Sequence, residues 1–146
     1  GAPTQELTGD SISKTILYYS GTLYTPGSNI EVCKLEFNQA DAFTTTNCIA
    51  KIFTLSGDNL NTEVATSSAI STGTGWLEFA LTSNASLTAS TTYALVYNCY
   101  GGGEYYKPSI NSSSGNTSFR YWEVEGKDYI ATQTDYAIAI RVHSIQ

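Results

Sequence analysis

The sequence predicts an all-β domain, an antiparallel sandwich or barrel of eight or nine strands. Apolar residues recur with period two and almost nowhere with the helical period. The alternating runs are short and rich in Val, Ile, Tyr, Thr and Phe. Clusters of Gly, Asn, Ser and Pro separate them at fairly regular intervals. At 146 residues the chain suits one domain over 1–146, and a hydrophobic share of 41% is enough to close a core.

The runs follow in chain order. Lys14 to Tyr19 and Gly21 to Tyr24 are the weakest strands. From Ile30 to Phe37, alternation sets Cys33, Leu35 and Phe37 on one face and Lys34 and Glu36 on the other. Cys48 to Thr54 groups Cys48, Ala50 and Ile52 opposite Lys51. Trp76 to Leu81 and Thr91 to Cys99 are further strands. The last, Asp135 to Val142, aligns Tyr136, Ile138, Ile140 and Val142 opposite Arg141. Turns fall at Pro26–Asn29, Ser56–Asn59, Thr72–Gly75 and Gly101–Gly103. The stretch from Gly101 to Gly115 is the most loop-like.

Thirteen acidic against seven basic residues give a net charge of −6. A phosphate backbone is held by clustered Lys and Arg, and no such cluster occurs, so nucleic acid and anionic membranes are poor partners. No apolar run approaches the roughly 20 residues that span a bilayer. An uncharged ligand fits this surface, which is dominated by Ser, Thr, Asn and Gly. The opening Gly1-Ala2-Pro3 suits a processing boundary, which points to a piece of a larger extracellular protein. The three cysteines, Cys33, Cys48 and Cys99, allow one internal bridge at most. Alternation points Cys33 and Cys48 inward, which makes them the first choice for it; three buried thiols are the other reading.

One segment is more specific than composition. It runs from Cys48 to Gly57, through Ala65-Thr66-Ser67 and Gly75-Trp76-Leu77-Glu78-Phe79, to Leu87-Thr88-Ala89-Ser90-Thr91-Thr92-Tyr93 and the strand after it. This resembles the small jelly-roll domains appended to microbial and phage surface proteins, the choice-of-anchor or carbohydrate-binding-module-like domains. The resemblance covers roughly the middle third of the chain. Ser90 stands where the family pattern has glycine, and Asn59-Leu60-Asn61 replaces a Leu-Pro-Gly loop. The resemblance implies a two-sheet antiparallel jelly roll, with Trp76 and Phe79 in its core. It also implies an accessory extracellular role, with carbohydrate the commonest ligand.

Sugar rings stack their C–H faces on aromatic rings, and their hydroxyls bond to amides, carboxylates and guanidinium groups. Eleven Tyr and two Trp are available. The densest aromatic group is Tyr100, Tyr105, Tyr106, Tyr121, Trp122 and Tyr129, with Arg120, Glu123, Asp128 and Lys107 interleaved. Alternation puts Trp122 on the face of Arg120, which suggests exposure. These residues form the expected platform, with Arg120, Glu123 and Asp128 reading hydroxyls. Tyr18-Tyr19 is a weaker candidate, since two adjacent strand residues cannot both point inward.

Catalysis is poorly supplied. The single histidine, His143, has no nucleophile motif to serve. Glu123 and Glu125 share a strand pattern and could face a glycosidic bond, though two solvated carboxylates explain them better. No motif implies a cofactor and no zinc ligand set occurs. Structural calcium has oxygen donors at Asp58, Asn59 and Asn61, or at Asp10 with Asp135, which ordinary turn chemistry also explains. The sequons at Asn84, Asn111 and Asn116 read as unmodified loops. The resulting expectation is a non-catalytic carbohydrate-binding module. A structural or adhesive domain contacting protein comes second, and a polysaccharide-cleaving enzyme third.

Overall fold

The structure is a computed structural model. It describes residues 3–7, 11–12, 18–39, 47–71, 73, 75–101, 104–106, 110–138 and 140–145. Side chains are described for 19–39, 47–71, 73, 75–99, 120–132 and 140–145. All secondary structure in these residues is strand, in the order β1 (Pro3–Leu7), β2 (Ser11–Ile12), β3 (Tyr18–Tyr24), β4 (Ile30–Gln39), β5 (Asn47–Ser56), β6 (Asn59–Thr66), β7 (Ile70–Ser71), β8 (Gly75–Leu87), β9 (Tyr93–Gly101), β10 (Glu104–Tyr106), β11 (Ile110–Glu123), β12 (Tyr129–Ile138) and β13 (Ile140–Ile145). Four of these (β1, β2, β7 and β10) have five residues or fewer, and the other nine are longer.

All pairings are antiparallel, and they build two layers. The smaller is three-stranded, in the order β13–β4–β8. The larger has the spine β12–β11–β3–β9–β5–β6. The short strands decorate it: β1 on β11, β7 on β5, and β10 with β2 beside β9. Backbone pairs at Ile110 with Gln39 and at Ser67 with Leu81 stitch the layers together. Among the described residues no helix is long and apolar enough to cross a membrane.

The layers face each other across the main core. Val32, Leu35 and Phe37 of β4, and Leu77, Phe79, Ala85 and Leu87 of β8, pack on Ala50 and Ile52 of β5, Tyr93, Leu95 and Tyr97 of β9, and Tyr121 of β11. Burying each large apolar side chain contributes about 1.5–3 kcal/mol. Three rings bridge the layers: Phe37 lies 4.5 Å from Tyr97 and 5.9 Å from Phe79, and Phe79 lies 5.7 Å from Tyr97. The Tyr97 hydroxyl donates to Gln39 Oε1 at 3.0 Å, which satisfies a phenol that would otherwise be stranded in this core.

The larger sheet is covered on its other face too. Ala94 and Val96 of β9, Phe53 of β5, Tyr19 of β3 and Trp122 of β11 form a second apolar cluster there, under Leu60 of β6. Residues 93–99 of β9 are therefore buried on both faces. Gly21 of β3 sits opposite Val96 and Arg120, where a Cβ would stand 1.8 Å from the Leu95 carbonyl oxygen. Only glycine allows that backbone approach.

Three sequence expectations are corrected. Pairing shifts register between Val32 and Lys34, so Val32 and Leu35 both point inward and Cys33 drops out of the alternation. Cys33 is a free thiol, half-buried, donating to the His143 carbonyl oxygen at 3.5 Å. The bridge joins Cys48 to Cys99, directly opposed residues of β5 and β9 with Cα atoms 4.3 Å apart. Second, the Gly101–Gly115 stretch contains β10 and the start of β11, the longest strand at 14 residues. Its Asn and Gly are poor strand formers alone; neighbours on both sides override that preference. Third, the last predicted run is split between two sheets, with Ile138 ending β12 and Ile140 opening β13.

Two stability outcomes follow. The disulfide closes a separation of 51 residues, so the Cys48→Ala/Cys99→Ala variant should lose about 4 kcal/mol in urea unfolding on the chain-entropy estimate. Ser90 holds a left-handed backbone, φ 62°, with its N–H bonded to the Pro26 carbonyl oxygen at 2.9 Å. Ser90→Gly should therefore gain about 0.5–1 kcal/mol, visible as a higher melting temperature.

Candidate functional site

Trp122, the centre of the expected aromatic platform, is buried. Trp122 does share a face with Arg120, as alternation requires, but that face is covered by the chain itself. The β5–β6 hairpin carries register irregularities at Ile52/Phe53 and Phe53/Leu55, and its tip meets the β11–β12 turn. Trp122 is 0% exposed beneath these two hairpins, and its indole N–H donates to the Asp58 carbonyl oxygen at 2.7 Å. It offers no ring face to a ligand.

Its neighbours complete the clamp. Leu60 N–H donates to the Lys127 carbonyl oxygen at 3.0 Å, and Tyr129 N–H donates to Asn59 Oδ1 at 2.9 Å. The Lys127 ammonium lies over the Phe53 ring and donates to the Asn61 carbonyl oxygen at 3.2 Å. Arg120 stands 3.8 Å from the Asp58 carboxylate and 5.8 Å from the centre of the Tyr129 ring. The Asp58, Asn59 and Asn61 oxygens considered for calcium thus hold two hairpin tips together. No group of three or more His, Cys, Asp or Glu suited to a metal occurs among the described residues.

Tyr121 is likewise buried, in the main core between the layers. Glu123 ends β11 with its N–H bonded to the Asp128 carbonyl oxygen at 2.9 Å. Asp128 is exposed, and Tyr129 is half-buried with its hydroxyl 2.6 Å from that of Thr132. Glu125 lies beyond the strand end in the turn, so it does not share a strand face with Glu123. The backbones of Tyr100 and Tyr105 are paired, and Tyr106 pairs with Ser11. The side chains of these three tyrosines, with Asp10, Lys107 and the Asp135 side chain, lie outside the described residues.

The surface that sequence reasoning missed is the outer face of the three-stranded sheet. Trp76 is not in the core; it lies half-exposed on that face, while Leu77 and Phe79 take the inward positions. The register places side chains in rungs across the strands: Trp76 beside Asn38, then Glu78, Glu36 and Arg141, then Ala80, Lys34 and His143. The Arg141 guanidinium lies 3.7 Å from the centre of the Trp76 ring. The Glu36 carboxylate is largely buried; its Oε2 is hydrogen-bonded to His143 Nε2 and forms an ion pair with Arg141 at 3.8 Å. Lys34 bonds Glu78 at 2.6 Å, which holds the ammonium pKa above and the carboxyl pKa below their ordinary values. Two cations and two carboxylates cancel, leaving a face without net charge when His143 is neutral. Its signal was in the sequence: Trp76 and Glu78 alternate with Leu77 and Phe79, as Arg141 and His143 do with Ile140 and Val142.

At the far end of the same sheet lies a cleft of about 640 Å³. Ser28, Asn29, Glu31, Ser86, Thr88 and Ser144 give it a polar lining, over aliphatic surface from Ile30, Leu87 and Ile145.

No protein-family model, curated protein or solved structure matches this chain.

Burial moves the tyrosines that were candidates for exposure. It pushes Tyr121 up to about 12, and burial with the nearby Glu63 carboxylate pushes Tyr19 up to about 12. Tyr97 is also raised well above its ordinary value, by burial first and then by Tyr121. A raised folded-state value means the unfolded chain ionises first, so this stabilisation is complete below pH about 10 and is lost as pH rises through about 12. Alkaline titration should show the buried tyrosines ionising together with loss of near-ultraviolet circular dichroism. Full tyrosinate absorbance with native dichroism would contradict it.

Proposed function

We propose that this domain binds a neutral carbohydrate without cleaving it, in an extracellular setting, on the outer face of its three-stranded sheet. The observation that carries the reading is Trp76. It is a half-exposed indole on a regular sheet face, flanked by hydrogen-bonding groups in register and held under a guanidinium. The indole and the Arg141 plane offer flat surface to the C–H face of a sugar ring. Glu78, Lys34 and His143 offer donors and acceptors at a spacing set by the strands. Balanced charge on the face disfavours strongly ionic ligands and leaves hydroxyls as the natural partners. The Cys48–Cys99 disulfide supports an oxidising compartment.

The two tryptophans separate this reading from the one based on the loop aromatics. In calorimetric titration with neutral oligosaccharides, Trp76→Ala should weaken binding at least about tenfold, about 1.4 kcal/mol. Trp122→Phe should lower the melting temperature and leave affinity unchanged. Undiminished binding by Trp76→Ala would remove the reading, and release of reducing ends during incubation would replace it with catalysis.

A further inference from the structure

Resting on that reading, we infer that the ligand is a linear carbohydrate chain lying along β4, with the Trp76 rung at one end and the cleft at the other. The rungs do not stop at Lys34. Beyond the irregularity at Cys33, Glu31 pairs with Ser86 of β8 and Ile145 of β13, and all three are exposed. Glu31 and Ser86 are themselves part of the cleft lining. The face and the cleft therefore join at one rung of one sheet.

From Asn38 to Ile30 the strand advances about 27 Å at roughly 3.4 Å per residue. That length exceeds one sugar ring and accommodates several in a row. The chemistry changes along it in a way that suits a polymer. At the Trp76 end an aromatic and guanidinium surface provides stacking. In the middle, charged groups already paired with one another present their remaining lone pairs and protons. At the cleft, uncharged hydroxyls of Ser28, Ser86, Thr88 and Ser144 stand over aliphatic surface. Among the described residues the cleft lining holds no cation and a single carboxylate, Glu31, so an anionic polymer would lack a counter-charge there. Its volume lies within the range of small-molecule sites. Asn29 is already committed through Oδ1, which accepts the Ala89 N–H at 2.8 Å, and so holds the cleft wall in place.

The test is affinity against chain length. Neutral glucan, mannan and galactan oligomers, from disaccharide to hexasaccharide, are titrated against the intact domain and against Ser86→Ala/Thr88→Val. These two side chains lie on the rim, so the variant retains its packed core, which a thermal melt verifies. For the intact domain, affinity should rise about tenfold or more along the series as two or three hydrogen bonds are added. In the variant the rise should flatten while disaccharide affinity stays the same. Disaccharide binding that depends on Trp76 but does not grow with length would overturn the chain and leave the sugar-binding reading standing. Growth that the variant does not diminish would overturn the cleft's part in it. No binding at any length would overturn both.

Discussion

Tyr97 is the point on which the two layers depend. Its strand lies in the middle of the larger sheet, its ring packs on Phe37 and Phe79 from the smaller one, and its hydroxyl is bonded to Gln39 of β4. A ring of this size brings a large apolar area into the core, and one hydrogen bond settles its polar end. Residues 94 and 96, on the other side of the same strand, are equally apolar, so one layer cannot shelter β9. The chain resolves this by folding the β5–β6 tip over the back of the sheet, with Trp122 beneath it.

That constraint decides where a ligand can go. Around β9 the larger sheet is occupied on one face by the smaller sheet and on the other by its own hairpins. Trp122, Tyr121 and Tyr19 therefore serve the scaffold. The smaller sheet has a partner on its inner face only, and its outer face keeps the alternation of a half-solvated antiparallel sheet. Trp76, Glu78, Lys34, Arg141 and His143 stand there because Leu77, Phe79, Leu35, Ile140 and Val142 stand on the other side.

The fold class was legible because period-two patterning is local: Cys48, Ala50 and Ile52 are all fully buried, as their alternation requires. What patterning does not encode is which faces acquire a second cover. Arg120 and Trp122 lie on one face as their spacing says, yet that face is closed by a hairpin whose tip lies 64 positions before Trp122 in the chain. Cys33 illustrates a second limit. One extra residue in a strand reverses everything before it relative to everything after, and nothing in Val32-Cys33-Lys34 marks the place. The true bridge needs the pairing of β5 with β9, which is long-range information.

The disulfide has a mechanical consequence. It links neighbouring strands of one sheet rather than the two layers, and it encloses β6, β7 and β8 entirely. Tension applied between the two ends of this chain passes through the sulfur atoms and bypasses everything from Cys48 to Cys99. The strands carrying Trp76 and Tyr97 both lie inside that shielded stretch, so under load they cannot be drawn out lengthwise while the bond is intact.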